Sequence, residues 1–291
     1  MKYGSGRALR TALEDRLRAH ALDSGIPLAR LRKTVAFDRL LARLMADDGD
    51  RWLLKGGLAL QVRLHKGARN TKDVDVLFRE TGQDAHRRLA DAARLELGDW
   101  FEFELGAQQM MREEVGIRVP MHCRLDSREF ESFHIDIGVG DPVVGYVEPL
   151  IVTDLLAFAE IPPTRVSCYP VSQHLAEKLH ALTRPHGGRE NSRAKDLVDV
   201  VIFAETSRLE AAEAIAAIAA TFAARATHSL PQRLPAPPRS WDQTYRQLSG
   251  EAMVATAGFD DAVLLARTFL DPLLAGAVVG RWDPEGRSWR A

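Results

Sequence analysis

The sequence predicts an α/β N-terminal half, residues 1–150, followed by an all-helical C-terminal half, residues 151–291. Three observations carry that expectation. Short apolar runs with period-two alternation recur between residues 51 and 139, the pattern of half-buried strands. After about residue 150 the apolar spacing changes to the helical period and stays there. Pro231, Pro235, Pro237 and Pro238 interrupt that helical half with a linker or long surface loop.

The elements follow in order. Leu9, Leu13 and Leu17, then Leu28, Leu31, Phe37, Leu40, Leu41 and Leu44, recur near helical spacing with arginine-rich opposite faces. Gly25 and Pro27 divide these residues into two helices. Arg51–Leu54 reads as a short strand, Lys55-Gly56-Gly57 as a turn, and Leu58–Leu64 as a helix. A polar loop from Lys66 to Lys72 leads to a strand over Val74–Phe78. A helix over 83–97 and strands at 101–105, 116–119 and 133–139 complete the first half. Helices are expected at 152–160, 172–183, 193–205, 208–226, 243–255 and 259–274.

Composition is that of an ordinary globular protein, 46% hydrophobic and 27% charged. With 39 Lys and Arg against 40 Asp and Glu, the net charge neither demands nor excludes nucleic acid, since a local basic surface suffices. Cys123 and Cys168 stand far apart without metal-ligand spacing, which fits a reduced, cytoplasmic protein better than a disulfide framework. No apolar stretch follows Met1–Arg7, so no secretory signal is expected. Arg267, Asp271 and Pro272 interrupt the apolar run 263–280, which reads as core helix with no membrane role.

Three motifs carry chemistry. Lys55-Gly56-Gly57 sits between strand and helix, where glycine permits a sharp turn and the helix start offers unpaired N–H groups to a triphosphate. The same residues would also suit a plain strand-to-helix turn. Asp73 and Asp75 alternate with Val74 and Val76, so both carboxylates leave one face of a strand. Two adjacent acids repel unless a cation lies between them, and magnesium, or manganese in its place, suits oxygen ligands shared with phosphates; the alternative is a pair of solvated acids on an edge strand. Alternation likewise puts Ile135 and Ile137 in the core and His134 and Asp136 on the polar face. Asp136 is thus either a third carboxylate of a two-metal site, helping to deprotonate an attacking hydroxyl, or part of a surface polar pair.

Strand, double glycine, helix, then Asp-x-Asp on a strand and one Asp on a later strand: in this order, residues 50–140 resemble the DNA polymerase β-type nucleotidyltransferase superfamily, which implies a mixed sheet. Leu54-Lys55-Gly56-Gly57-x-Ala59-Leu60, followed by Arg69-x-Thr71-x-Asp73-Val74-Asp75, resembles more narrowly the AbiEii/AbiGii toxin nucleotidyltransferases, which include the MenT-type toxins. Glu177-Lys178-Leu179-His180-Ala181-Leu182 and Arg193-Ala194-Lys195-Asp196-Leu197-Val198-Asp199 extend the resemblance over about residues 30–205. It implies that Lys55, Gly56, Gly57, Arg69, Thr71 and Asp199 bind the nucleotide. It further implies that Asp73 and Asp75 hold metal, with Lys178 and Asp196 as catalytic partners; without the resemblance, Lys178 reads as a solvated helix lysine beside Glu177 and His180, and Asp196 and Asp199 as surface partners of Arg193 and Lys195. Two departures stand out: Leu58 occupies a position where the family often has Ser or Thr, and fifteen residues (58–72) separate Gly57 from Asp73.

The implied reaction moves a nucleoside monophosphate, a pyrimidine one, from an NTP to the 3′ acceptor end of tRNA, blocking aminoacylation and translation. The implied partner is a cognate antitoxin, and Thr71 is the hydroxyl that matches a phosphorylation route of inhibition. Two alternatives are a small-molecule or protein acceptor and a non-catalytic binding protein with this fold. For the acceptor, Arg184, His186, Arg189, Arg193 and Lys195 form one basic cluster, with Gly187 and Gly188. Arg7, Arg10, Arg16, Arg18, Arg30, Arg32 and Lys33 form another; both would grip a phosphate backbone or simply face solvent.

Overall fold

A computed structural model describes residues 2–64, 68–80, 84–111, 115–185 and 193–291. Lys66, His186, Gly187, Gly188 and Arg189, named above, lie outside them. The chain forms two compact units, one made of Met1–Arg63, Asn70–Gly140 and Glu148–Cys168, the other of Leu64–Arg69, Asp141–Val147 and Tyr169–Ala291.

The first unit opens with helices α1 (Gly6–Ser24) and α2 (Leu28–Asp48). Strand β1 (Trp52–Lys55) runs into helix α3 (Gly56–Leu64), and β2 (Val74–Phe78) precedes α4 (Ala85–Ala93). Then come β3 (Phe101–Leu105), β4 (Gln109–Met110), β5 (Gly116–Leu125), β6 (Arg128–Val139), β7 (Glu148–Ile151) and β8 (Arg165–Cys168). The strands join in the order β3-β5-β6-β2-β1-β8-β7, with β4 beside β5. The sheet is mixed: β2 runs parallel to β6 and β1 parallel to β8, and the other pairs are antiparallel.

Leu9, Leu13 and Leu17 of α1 and Val35, Phe37, Leu40 and Leu44 of α2 are buried in one core with Val74, Val76, Ile135 and Ile137 of the sheet. Phe37 meets Phe133 edge-on at 4.9 Å between ring centroids, and Trp52 lies 4.8 Å from Phe78. Burying side chains of this size, at roughly 1.5–3 kcal/mol each, is what fixes the sheet beneath the polar face.

The arginine-rich faces of the first two helices are largely structural. Arg39 and Arg43 are buried, and Arg43 holds Asp99 through two hydrogen bonds of 3.1 and 2.8 Å. Arg10 donates to the carbonyls of Leu125, Arg128 and Glu129, bracing the tight turn Asp126-Ser127, whose residues both have positive φ. Arg16 lies over the Phe158 ring and Arg32 over Phe130, with Arg32 also paired to Glu14.

The expected helix at 152–160 does not form. Only a single 3₁₀ turn, Ala157–Ala159, stands there, flanked by β7 and β8. Both strands have four residues, and β7 carries Pro149 at the sheet edge, where a missing N–H costs no ladder bond. Strands β5 and β6 run longer than expected, because Pro120 lies within β5 without ending it.

The second unit is helical: α5 (Val171–Thr183), α6 (Ala194–Thr206), α7 (Ala211–Arg225), α8 (Trp241–Glu251) and α9 (Phe259–Leu274). A hairpin of β9 (Arg281–Asp283) and β10 (Ser288–Arg290) follows, so this half is not wholly helical. The hairpin is anchored by Trp282, which is fully buried against Phe269 and donates its Nε1–H to the Ala204 carbonyl. Among the described residues, no helix is long and apolar enough to cross a membrane.

Candidate active site

The polar face of the first unit is organised by strand register. Lys55 of β1 is paired with Asp75 of β2, Asp75 with Asp136 of β6, and Asp136 with Arg118 of β5. Directly paired residues send their side chains to the same side of a sheet. Four adjacent strands thus present a row of lysine, aspartate, aspartate and arginine. The intervening residues, Leu54, Val76, Ile135, Ile137 and Val119, are buried below.

At one end of the row the chain turns from β1 into α3. Gly56 has φ +65°, a left-handed conformation that side chains with a Cβ adopt at a cost. A Cβ there would fall 2.1 Å from Asp75 Oδ2, so the Asp75 carboxylate lies directly on the glycine turn. Gly57 and Leu58 are buried, and Leu58 anchors the turn in the core where the family's hydroxyl would otherwise stand. The first N–H groups of α3 have no partner within the helix and carry its positive dipole end.

Asp73 precedes β2 on the same face as Asp75, its side chain 34% exposed. Its Oδ1 lies 3.5 Å from His134 Nδ1. Thr71 is buried and donates its hydroxyl to the Asp73 carbonyl at 3.2 Å, fixing the approach to the strand. Asp136 is buried, and both its oxygens accept from Arg118: Nε to Oδ1 at 2.7 Å and Nη2 to Oδ2 at 2.6 Å. Hydrogen bonding to Asp136 holds the Arg118 guanidinium above the ordinary arginine value, and Asp73 and Asp75 add to the effect.

The second unit holds another charged cluster. Lys178 of α5 donates to Asp196 Oδ1 at 3.1 Å and lies 2.9 Å from Asp199 Oδ2, both on α6. Arg69 grips Asp199 with two hydrogen bonds of 2.9 and 3.0 Å, and Arg193 lies 3.5 Å from Asp196 Oδ2. The spacing of Asp196 and Asp199 along α6 therefore does bring both to one lysine. Burial pulls the Lys178 ammonium down, but Asp199 and Asp196 outweigh it and hold the value above that of an ordinary lysine. Burial pushes the Asp199 carboxyl up, but Lys178 and Arg69 prevail and hold it well below the carboxylate range. Lys178 is accordingly a fixed cation and Asp199 a fixed anion; neither is poised to exchange a proton near neutrality.

Lys178 is not a solvated helix lysine, and its polar neighbours are buried too. Glu177 pairs with Arg225 at 3.2 Å, and His180 Nε2 lies 2.9 Å from the Thr227 hydroxyl. Reasoning from sequence missed Arg118 as a site residue. The alternation of Ile117, Arg118 and Val119 places it on the polar face, but only the pairing of β5 with β6 brings it to Asp136.

The donor set can be tested against a divalent cation. Among the described residues, no group of three or more His, Cys, Asp or Glu is gathered to hold a metal. Asp136, expected as a third ligand, has both oxygens committed to Arg118. Asp73 and Asp75 form a pair of carboxylates on one face beside a phosphate-suited turn. A pair fits magnesium, which takes one or two carboxylates and completes its shell with water and substrate phosphates.

The mixed sheet, the glycine turn and the paired carboxylates are those of a nucleotidyltransferase. More narrowly, residues 39–263 match the family described as nucleotidyl transferase AbiEii toxin, type IV toxin–antitoxin system, and the chain belongs to that family. Members are NTP-using enzymes, and the system implies an antitoxin partner. The fold is similar to that of MenT4, a nucleotidyltransferase toxin from Mycobacterium tuberculosis H37Rv, with a TM-score of 0.54 at 15% identity over 91% of this chain and 98% of that one. A protein from H. pylori described as a candidate nucleotidyltransferase aligns at TM-score 0.40 and 14% identity, over 84% of this chain and 95% of that one. No curated protein matches the chain by sequence.

Proposed function

We propose that this chain transfers a pyrimidine nucleoside monophosphate from an NTP to the 3′ end of tRNA and so stops aminoacylation. The observation that carries the transfer chemistry is the Asp75 carboxylate lying on the Gly56 turn, with Asp73 two residues away on the same face. That arrangement favours a metal-bearing triphosphate, whose phosphates meet backbone N–H groups and whose metal meets carboxylates.

The residues divide the work as follows. Gly56 and Gly57 give phosphate oxygens the N–H groups at the start of α3, with Lys55 at the end of β1 adding positive charge. Asp73 and Asp75 would hold magnesium, which when bound polarises the α-phosphate and lowers the proton affinity of the attacking hydroxyl. The family resemblance gives Lys178, held in its own unit by Asp196 and Asp199, the task of neutralising triphosphate charge. Arg69 holds Asp199 in place and so orients Lys178. The acceptor's 3′ hydroxyl gives up its proton to solvent, its oxygen forms the new bond to the α-phosphorus, the bond to the β-phosphate oxygen breaks, and pyrophosphate leaves. The tRNA and pyrimidine assignments rest on the motifs that Lys178 and Asp196 share with the MenT-type toxins.

Incubation with magnesium, each labelled NTP in turn, and separate tRNA, protein and small-molecule fractions tests this reading, with Asp73→Ala as control. Label from CTP or UTP on the tRNA 3′ end, lost in the control, is expected. Label in another fraction would reassign the acceptor, and label that survives Asp73→Ala would remove the metal pair from the chemistry.

A further inference from the structure

The polar face of the first unit carries three carboxylates, Asp73, Asp75 and Asp136, with Lys55 at one end of the row and Arg118 at the other. The arginine is not a wandering surface side chain. Backbone register sets it opposite Asp136, and the two meet in a two-pronged contact at 2.7 and 2.6 Å. The Nη2 that binds Asp136 also lies 4.0 Å from Asp73 Oδ2, so the guanidinium spans from the third acid to the first of the pair. The Asp136 side chain is only 8% exposed, and an ionised carboxylate so buried needs a partner of opposite charge. Arg118, 43% exposed, supplies that charge while keeping an edge open to solvent.

Three negative charges less the two positive ones of Arg118 and Lys55 leave one, which a single divalent ion already more than neutralises. A second divalent ion on this face would have to share an Asp136 oxygen with Arg118, which already donates to each of them. It would also have to sit within a few ångströms of a guanidinium that cannot lose its proton. Arginine has five N–H donors in a planar fork; two go to Asp136, and three remain for oxygens arriving from the solvent side.

We propose that Arg118 stands in place of a second divalent ion: Asp136 positions it, the face takes one divalent ion at Asp73 and Asp75, and the free edge of the guanidinium binds nucleotide phosphate oxygens. This inference rests on the nucleotidyl-transfer reading and adds a stoichiometry to it. Asp136 is a positioning residue, acting on the nucleotide through Arg118.

The test counts metal. The full chain is dialysed to equilibrium against Mn²⁺ and a saturating non-hydrolysable pyrimidine nucleoside triphosphate analogue, present on both sides, and bound ion is read as the excess of manganese on the protein side per chain. Wild type is expected to bind one Mn²⁺ per chain, and Arg118→Lys, which keeps the charge, also one. Arg118→Gln frees Asp136 and is expected to bind two, and Arg118→Gln with Asp136→Asn returns to one. The metal count itself reports that each variant is folded. Two ions in wild type, or one in Arg118→Gln with Asp136 intact, overturns the inference and leaves the transfer reading standing. A wild-type count and affinity that Asp73→Asn leaves unchanged overturns both.

Discussion

Replacing Gly56 with alanine tests whether the glycine turn and the carboxylate pair form one site. Two effects add. Holding alanine at φ +65° costs about 1–2 kcal/mol against the right-handed alternative. The new Cβ also meets Asp75 Oδ2 at 2.1 Å, Cγ at 2.5 Å and Cβ at 2.6 Å. Ordinary contact is roughly 3.5 Å, so the carboxylate or the turn must move by about 1 Å. A misplacement of that size costs on the order of 100-fold in rate, near 2.7 kcal/mol of transition-state stabilisation. Gly56→Ala should therefore lower urea-unfolding stability by about 1–3 kcal/mol and kcat/KM for nucleotide transfer about 100-fold. In an Asp75→Gly background the clashing atoms are gone, and only the backbone cost of about 1–2 kcal/mol should remain. If Gly56→Ala keeps wild-type stability and rate to within about threefold, the close approach of turn and carboxylate is wrong.

Further outcomes follow from the charged clusters. Lys178→Met leaves Asp196 and Asp199 buried beside each other and should cost about 3–5 kcal/mol in thermal or urea unfolding, with Lys178→Arg much milder. The Asp199 carboxyl is held low in the folded chain, so its contribution to stability is present above its unfolded value of about 3.9 and is lost as pH falls through the folded value. Lys178 is held high, so its contribution is present below about 10.4 and is lost only as pH rises through the folded value. Melting curves should accordingly show no loss from this cluster between about pH 5 and 9, whereas Lys178→Met should shift the acid unfolding midpoint to higher pH. Arg10→Ala should lower stability by about 1–3 kcal/mol, since three carbonyls of the β5–β6 turn lose a charged donor, without altering the salt dependence of tRNA binding. A change in that salt slope with unchanged stability would return Arg10 to the nucleic-acid surface.

Where side-chain alternation alone sets the outcome, the sequence was enough. Val74–Phe78 is a strand as expected, with Asp75 leaving the face opposite Val74 and Val76. The turn at Lys55-Gly56-Gly57 and the helix after it were equally legible, because glycine and the change of period are local signals. The row from Lys55 to Arg118 was not, since it depends on β2 pairing with β6 across the intervening residues 79–127. Lys178 looked solvated among Glu177 and His180 because their partners, Arg225 and Thr227, come from distant stretches. Strands β7 and β8 are too short for alternation to register, and the helical periodicity around them prevailed. The first-helix arginines looked like a basic surface because a sequence does not distinguish a solvated guanidinium from one capping carbonyls, as Arg10 does.

The most direct trial is to crystallise the chain with Mn²⁺ and a non-hydrolysable nucleoside triphosphate and locate manganese by its anomalous scattering. A manganese peak about 2.0–2.2 Å from carboxylate oxygens of both Asp73 and Asp75, with the triphosphate over the N–H groups of Gly56 and Gly57, is the predicted result. Manganese bound away from those two acids, or phosphates seated elsewhere than the glycine turn, would contradict the account.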